Sequence, residues 1–147
     1  MSGPLQRLSF ITVGARNING LADFYKGLGW ELAAEASDGF TAFHCGGVML
    51  ALWPIENLSH EAAPGEPEPA RGWNGVSLSS NVDRREQVDE VYAQWIAAGA
   101  TPVTPPFDLE WGGRTSYVAD PEGNRWEFCW NPAVVFDDKG GVVGLAE

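Results

Sequence analysis

The stretch Phe24–Gly29, with the sequence FYKGLG, ends the first of two amphipathic helices that the apolar pattern predicts. Asn19 can cap the start of this helix, and Gly29 can end it in a left-handed conformation. Four apolar residues are spaced i, i+3, i+4 and i+7 and therefore share the buried face: Leu21, Phe24, Tyr25 and Leu28.

A second helix is predicted to begin at Asp83, because Asp83 and Glu86 have the spacing of a capping box, with Asp in place of the usual Ser or Thr. Gly99 is expected to end this helix as Gly29 ends the first. Its apolar stripe has helical spacing and consists of Val88, Val91, Tyr92, Trp95 and Ile96. The pair Val91-Tyr92 matches Phe24-Tyr25 of the first helix, which indicates an internal repeat.

Strand-forming segments surround each helix in the same order. In the first half they are residues 8–13 before the helix and 30–34, 39–45 and 48–53 after it. In the second half they are residues 75–82 before the helix and 101–104, 114–119 and 125–130 after it, with Pro105-Pro106 as a break and Asp120–Gly123 as a turn.

The pattern predicts an α+β fold in which two βαβββ modules in tandem form a curved mixed sheet around a cleft. The chain of 147 residues is expected to be a single domain. Its parts are module one at about 7–54, a linker without apolar periodicity at 55–73, module two at about 74–132, and a tail at 133–147. The tail is expected to be a terminal hairpin or a dimer contact.

Charge and composition exclude several classes of function. The net charge of −11 repels nucleic-acid backbones and anionic membrane surfaces, and the acidity serves either solubility or the attraction of a cationic small molecule. No apolar run approaches the roughly 20 residues that span a bilayer. Cys45 and Cys129 are too few for a disulfide framework and are expected to be free thiols. We therefore expect a cytoplasmic protein that binds neither nucleic acid nor membranes.

Two motifs together resemble the vicinal-oxygen-chelate superfamily, which includes glyoxalases, bleomycin-resistance proteins and dioxygenases. They are FYKGLG at Phe24–Gly29 and DPEGNRWE at Asp120–Glu127, and the resemblance covers roughly residues 7 to 132. Trp111-Gly112-Gly113 upstream of Tyr117–Pro121 is similar to a poorly characterised glyoxalase-like branch. The resemblance implies a cleft for a small molecule and a homodimer, whose cleft lies within one chain or is shared between two.

The resemblance also implies a divalent metal in enzyme members, held by His, Gln or Glu. Here Phe10 and Met49 stand at two of the ligand positions, and residues 74–77 offer no His at a third. Only Glu127 matches a ligand of the family. Because one carboxylate is too few for a catalytic metal site, we expect no metal and no other cofactor.

Glu127 is the predicted catalytic or charge-bearing residue, and strand alternation places it on the same face as Cys129 and opposite Trp126 and Phe128. The histidines are expected outside the site: His44 at the solvent or sheet edge, and His60 on the linker surface unless the linker closes as a lid. The predicted substrate-binding residues are Phe10, Met49, Trp53, Ser77, Trp111, Tyr117 and Cys129.

Three functions remain open at this point. The favoured one is metal-independent binding of a small molecule between aromatic walls, with Glu127 as the counter-charge. The alternative is a lyase, isomerase or dioxygenase-like enzyme in which Glu127 acts as general base or metal ligand, and in which Arg114, Arg125 or backbone N–H groups would stabilise an oxyanion. A purely structural or interaction role is the third.

Overall fold

The computed structural model describes residues 3–147, which form two four-stranded mixed sheets, helices and a C-terminal hairpin. The first module contains β1 (Phe10–Ala15), α1 (Ile18–Gly27), β2 (Leu32–Glu35), β3 (Thr41–Cys45) and β4 (Val48–Pro54). Its sheet has the order β1-β4-β3-β2, in which only the pairing of β1 with β4 is parallel.

The N-cap of helix α1 lies two residues before the predicted one. Asn17, rather than Asn19, is the N-cap, and its Oδ1 accepts a hydrogen bond of 3.0 Å from the backbone N–H of Gly20. The predicted end is confirmed: Gly29 follows the helix with a φ of 81°, in the left-handed region that a side chain would disfavour.

The segment 55–73, interpreted from the sequence as a linker without apolar periodicity, contains a helix that was not predicted, α2 (Ile55–Ala62). Ile55 is buried and packs against β1, where its Cγ1 lies 3.0 Å from the position that a Cβ on Gly14 would occupy. The sequence pattern did not predict this helix because its apolar face is short, with Ile55 as its one buried residue. Residues 63–74 then continue to the second module without a helix or strand.

The second module repeats the order of the first. It contains β5 (Ser77–Asn81), α3 (Gln87–Ala97), β6 (Thr101–Asp108), β7 (Arg114–Ala119) and β8 (Arg125–Trp130). Its sheet has the order β5-β8-β7-β6, with β5 and β8 parallel. The predicted α+β fold of two tandem βαβββ modules is therefore confirmed, and each module has a four-stranded sheet of its own.

Two boundaries in this module differ from the prediction. Helix α3 begins at Gln87 instead of Asp83, because residues 83–86 form a turn in which Gln87 Oε1 accepts from the Arg84 N–H at 2.8 Å. Strand β6 continues through Pro105-Pro106 to Asp108. A strand tolerates proline at the edge of a sheet, and β6 is an edge strand whose register shifts on both sides of Thr104.

The C-terminal residues form the predicted hairpin, from β9 (Val134–Phe136) and β10 (Val142–Leu145), which pair only with each other. No helix within residues 3–147 has the length and apolarity needed to cross a membrane.

The core joins the two modules through Tyr25 of α1, which is fully buried. Its hydroxyl donates to Asp120 Oδ2 at 2.7 Å and accepts from the indole N–H of Trp126 at 2.9 Å. Burial, and then the charge of Asp120, hold the pKa of Tyr25 well above its usual range. The aromatic rings packed around Tyr25 are those of Phe24, Trp30, Phe43, Trp95 and Trp126.

The turn that begins at Asp120 also contacts both modules. Asp120 Oδ1 accepts from the backbone N–H groups of Glu122 and Asn124, and burial raises the pKa of its carboxyl while these hydrogen bonds oppose the shift. The Glu122 carboxylate accepts from the N–H groups of Arg16 at 2.8 Å and Asn17 at 3.0 Å, immediately before α1. The second module thus binds the first helix through two carboxylates, Glu122 at the start of the helix and Asp120 at Tyr25 near its end.

Replacing Tyr25 with Phe tests this connection. The substitution leaves the Trp126 N–H buried and unpaired and removes one of the two donors to Asp120 Oδ2, the other being Asn124 Nδ2 at 2.8 Å. We therefore expect the free energy of unfolding to fall by about 3 kcal/mol. Chemical denaturation followed by tryptophan fluorescence measures the change. Tyr92→Phe is the matched control, because Tyr92 is only half-buried and its hydroxyl has no hydrogen bond within the described chain. Equal stability of the two variants would contradict the role of Tyr25.

Candidate functional site

Glu127 lies in the middle of β8, between β5 and β7. In the sheet register it stands opposite Ser79 on β5 and opposite Tyr117 on β7. Its neighbours Trp126 and Phe128 point into the core and are buried, so the half-buried Glu127 points to the other face of the sheet. We call this surface, opposite the helices, the open face of the second sheet.

Three hydroxyl groups on the open face hold the Glu127 carboxylate. Ser79 Oγ donates to Oε1 at 2.6 Å, while Thr115 Oγ1 and Tyr117 Oη donate to Oε2 at 2.7 Å and 2.9 Å. Because the donors belong to both neighbouring strands, the carboxylate has one position relative to the sheet. This arrangement fixes the group before any ligand arrives.

The carboxylate retains capacity for a ligand. An ionised carboxylate has about four lone-pair sites, and the three hydroxyls occupy three of them. All three donors are neutral, and no ion pair among residues 3–147 includes Glu127. The open face can therefore offer one further acceptor site and an uncompensated negative charge.

Tyr117 remains a donor at physiological pH. Partial burial, its hydrogen bond to Glu127 and the negative charge of Glu127 together raise the pKa of Tyr117 to about 12. The phenol therefore keeps its proton and points it at the carboxylate.

Cys129 is buried on the same face, directly opposite Thr115. Burial, and then the charge of Glu127, raise the pKa of its thiol. Because the thiolate is the nucleophilic form, Cys129 is an unreactive neighbour of the site at neutral pH. Cys45 is also free, and burial raises the pKa of its thiol as well.

Aromatic surface borders the open face. Phe107 on β6 stands opposite Thr115 and so shares its face, and the side chain is 41% exposed. Trp111, in the turn between β6 and β7, is 57% exposed. Its Cη2 lies 2.3 Å from the position that a Cβ on Gly113 would occupy, so the ring takes the space of the missing side chain.

The structure brings together only some of the residues predicted from the sequence. Glu127, Tyr117 and Cys129 share the open face, and Ser77 is exposed on β5 opposite Arg125. Trp111 lies at the adjoining turn.

The remaining predicted residues, Phe10, Met49 and Trp53, lie on the first sheet. Phe10 and Met49 stand opposite each other, and the Trp53 indole N–H donates to Asp38 Oδ2 at 3.1 Å. None of the three contributes to the hydrogen bonds around Glu127. His44 is exposed, with its Nε2 3.9 Å from Glu31 Oε1, and His60 is exposed in the last turn of α2.

Two residues of the site, Ser79 and Thr115, were missed. Both follow from alternation once the register is known, because Ser79 is two residues from Ser77 and Thr115 two residues from Tyr117. The sequence pattern located the strands but not which residues stand opposite Glu127.

The sequence profile of the Glyoxalase/Bleomycin resistance protein/Dioxygenase superfamily matches residues 7–128. The chain belongs to this superfamily. The membership agrees with the resemblance found at Phe24–Gly29 and Asp120–Glu127. No curated protein shows significant sequence similarity to this chain.

Solved structures of the superfamily share the fold. A glyoxalase-related enzyme from Fulvimarina pelagi superimposes with a TM-score of 0.86 and 29% identity, over 97% of this chain and 100% of that one. A glyoxalase/bleomycin resistance protein/dioxygenase from Nocardioides gives 0.73 and 24%, over 88% and 85%. Lactoylglutathione lyase from Agrobacterium tumefaciens gives 0.68 and 24%, over 88% and 96%. The latter two likenesses concern the fold alone.

The residues around Glu127 do not fit the divalent metal that the superfamily implies. A catalytic metal site needs about three N, O or S ligands from side chains that bind metals, whereas the donors to Glu127 are a serine, a threonine and a protonated tyrosine. Cys129 on the same face would bring the number of such ligands only to two. Residues 3–147 contain no group of three or more His, Cys, Asp or Glu side chains placed to hold a metal.

Arg114 is not available to stabilise an oxyanion at Glu127. It stands opposite Trp130, on the helix side of the sheet, and its guanidinium donates twice to Asp89 at 2.8 Å and once to Asp108 at 3.1 Å. Arg125 shares the face of Glu127, but its Nη1 donates to the carbonyl of Gly123 at 2.8 Å.

Replacing Glu127 with Gln tests the electrostatics of the cluster. The substitution removes the negative charge and the carboxylate acceptor that raise the pKa of Tyr117, so that pKa should fall below about 12. Alkaline titration of tyrosinate absorbance measures the change. Glu68→Gln is the control, because it removes the same negative charge at an exposed position. Superimposable curves for the wild type and Glu127→Gln would contradict the cluster.

Proposed function

We propose that this superfamily domain binds a small organic cation at Glu127 and does so without a resident metal. The observation that carries the proposal is the Glu127 carboxylate, held in place by three neutral hydroxyl donors and not paired with a cation within the described chain. A fixed, partly desolvated carboxylate without a counter-charge favours a ligand that brings the positive charge.

The electrostatic field of the whole protein also favours a cationic ligand. The net charge of −11 attracts cations toward the protein and repels anions. Attraction by the whole molecule raises the encounter rate, while Glu127 supplies the specific contact.

The aromatic border of the open face supports a planar ligand. Phe107 presents an exposed ring opposite Thr115, one of the donors to Glu127, and Trp111 presents one at the adjoining turn. Ring faces attract organic cations. A planar cation can stack on such a ring while its charged or N–H group meets Glu127.

The enzyme alternative receives less support. A general base at Glu127 needs a group that stabilises the negative charge formed on the substrate. Arg114 faces the helix side and is bound to two carboxylates, and the hydroxyls around Glu127 already donate to the carboxylate itself. Arg125 shares the face of Glu127 and keeps free N–H groups, but it stands two residues, about 7 Å, along the strand. The arrangement therefore suits binding better than proton abstraction.

Ethidium, a planar fluorescent cation, is the probe for this proposal. We expect ethidium to bind the wild-type protein and Glu127→Gln to weaken binding by about tenfold or more, as loss of a charged contact predicts. Fluorescence titration measures the affinity. Fluorescein, planar but anionic, should not compete.

Glu68→Gln is the matched control, because it removes the same charge from an exposed position outside the open face. Equal weakening by both variants would show that ethidium responds only to net charge. Unchanged affinity in Glu127→Gln would refute the proposed site.

A homodimer is proposed on separate grounds. The described chain exposes aliphatic and aromatic side chains near its N-terminus and along the β9-β10 hairpin, and an isolated two-stranded hairpin has little stability of its own. These exposed residues are Leu5, Leu8, Phe10, Val135, Val142, Val143 and Leu145.

Light scattering tests the dimer. We expect a species of twice the 15.9 kDa chain mass, and we expect Val143→Glu with Leu145→Glu to shift it toward the monomer, because burying two charges opposes association. A stable 15.9 kDa species of the wild type at micromolar concentration would refute the dimer.

The cytoplasm is the proposed location. Both cysteines are free, which suits a reducing compartment.

A further inference from the structure

A cavity of about 490 Å³ lies between the first sheet, helix α2 and residues 63–74. Thr12 and Gly14 of β1 form its floor, and the turn at Glu122–Asn124 contributes one wall. This volume is within the range of small-molecule sites. None of the residues that hold Glu127 lines the cavity.

Helix α2 gives the cavity an apolar side. Ile55, Leu58 and Ala62 line it at i, i+3 and i+7, so one face of the helix points inward. Pro67 and Pro69 extend this surface along the segment after the helix. An aliphatic chain is the ligand part that such a wall accommodates.

The polar groups that remain free in the cavity are mainly donors. Arg16 uses Nη2 to donate to the carbonyl of Pro69, which leaves further N–H groups of the guanidinium. The hydroxyls of Thr12 and Ser59 have no hydrogen-bond partner within the described chain, and neither has the side-chain NH₂ of Asn74.

Several acceptors of the cavity, by contrast, are already engaged. Both oxygens of the Glu122 carboxylate accept backbone N–H groups, and Asn74 Oδ1 accepts from the N–H of Val76 at 3.0 Å. Glu66 is exposed. Among the described residues that line the cavity, Arg16 is the one with a positive charge.

We propose that this cavity is a second ligand site, which binds a small aliphatic carboxylate with its charge at Arg16 and its chain along Leu58 and Ile55. A guanidinium binds a carboxylate through two parallel N–H groups. Thr12 and Ser59 supply neutral donors near the same ligand. The proposed contact at Arg16 is opposite in sign to that at Glu127, and it binds the anion against the net charge of −11 and the neighbouring carboxylates of Glu66 and Glu122.

Octanoate is the probe, and its binding is measured by calorimetric titration of the 147-residue chain. We expect octanoate to bind, octylammonium to bind more weakly, and Arg16→Gln to reduce octanoate affinity by about tenfold or more. Arg7→Gln is the matched control, since it removes the same charge from an exposed position outside the cavity and should leave octanoate affinity unchanged.

A second pair of variants covers the case in which Arg16→Gln unfolds the protein, because Arg16 also holds Pro69. Leu58→Glu places a negative charge on the half-buried wall and should weaken octanoate more than Leu58→Gln does. Absence of octanoate binding at millimolar concentration, equal affinity for octylammonium, or unchanged affinity in both Arg16→Gln and Leu58→Glu would each overturn the proposal.

Discussion

The hydroxyl of Tyr25 is the contact on which the arrangement of the two modules depends. It belongs to the first helix, yet it donates to Asp120 and accepts from Trp126, which are both residues of the second module. Buried polar groups must find partners, so each of these three side chains restricts the positions of the other two. The carboxylate of Glu122 adds a second contact at the start of the same helix.

The packing of the core also determines on which surfaces the two proposed sites lie. Trp126 and Phe128 fill the core on the helix side of β8, and strand geometry then directs Glu127 to the opposite face. The cavity under α2 lies on the other sheet, where Gly14 lets Ile55 approach β1 closely. The two proposed sites thus occupy different surfaces and have opposite charge preferences.

Much of the fold followed from periodicity, because the helices of both modules and the glycines that end them have strong local signals. Gly29 and Gly99 both adopt positive φ, as predicted. The errors occurred where a long-range contact outweighed the local pattern. Helix α2 depends on one buried residue, Ile55, and β6 passes through two prolines because it has a free edge.

The site was less predictable than the fold. Glu127, Tyr117 and Cys129 were assigned to one site from motif position and alternation, and they do share a face. Ser79 and Thr115 needed the register of three strands, which local sequence does not encode. Phe10 and Met49 were included because they stand at metal positions of related enzymes, and Trp53 because it is an aromatic residue at a strand end. All three lie on the other sheet.

The two motifs that resemble the superfamily are in contact in the core, since Tyr25 of the first motif donates a hydrogen bond to Asp120 of the second. We call this hydrogen-bonded contact, with Trp126 as its third member, the buried joint. The groups in that joint are turned away from the open face that carries Glu127. Substitutions on the open face can therefore change what the domain recognises without loosening the joint. A chain can keep both motifs intact and still have lost, gained or exchanged a chemical activity. The motifs therefore indicate how the two modules pack together and not which reaction, if any, the domain catalyses.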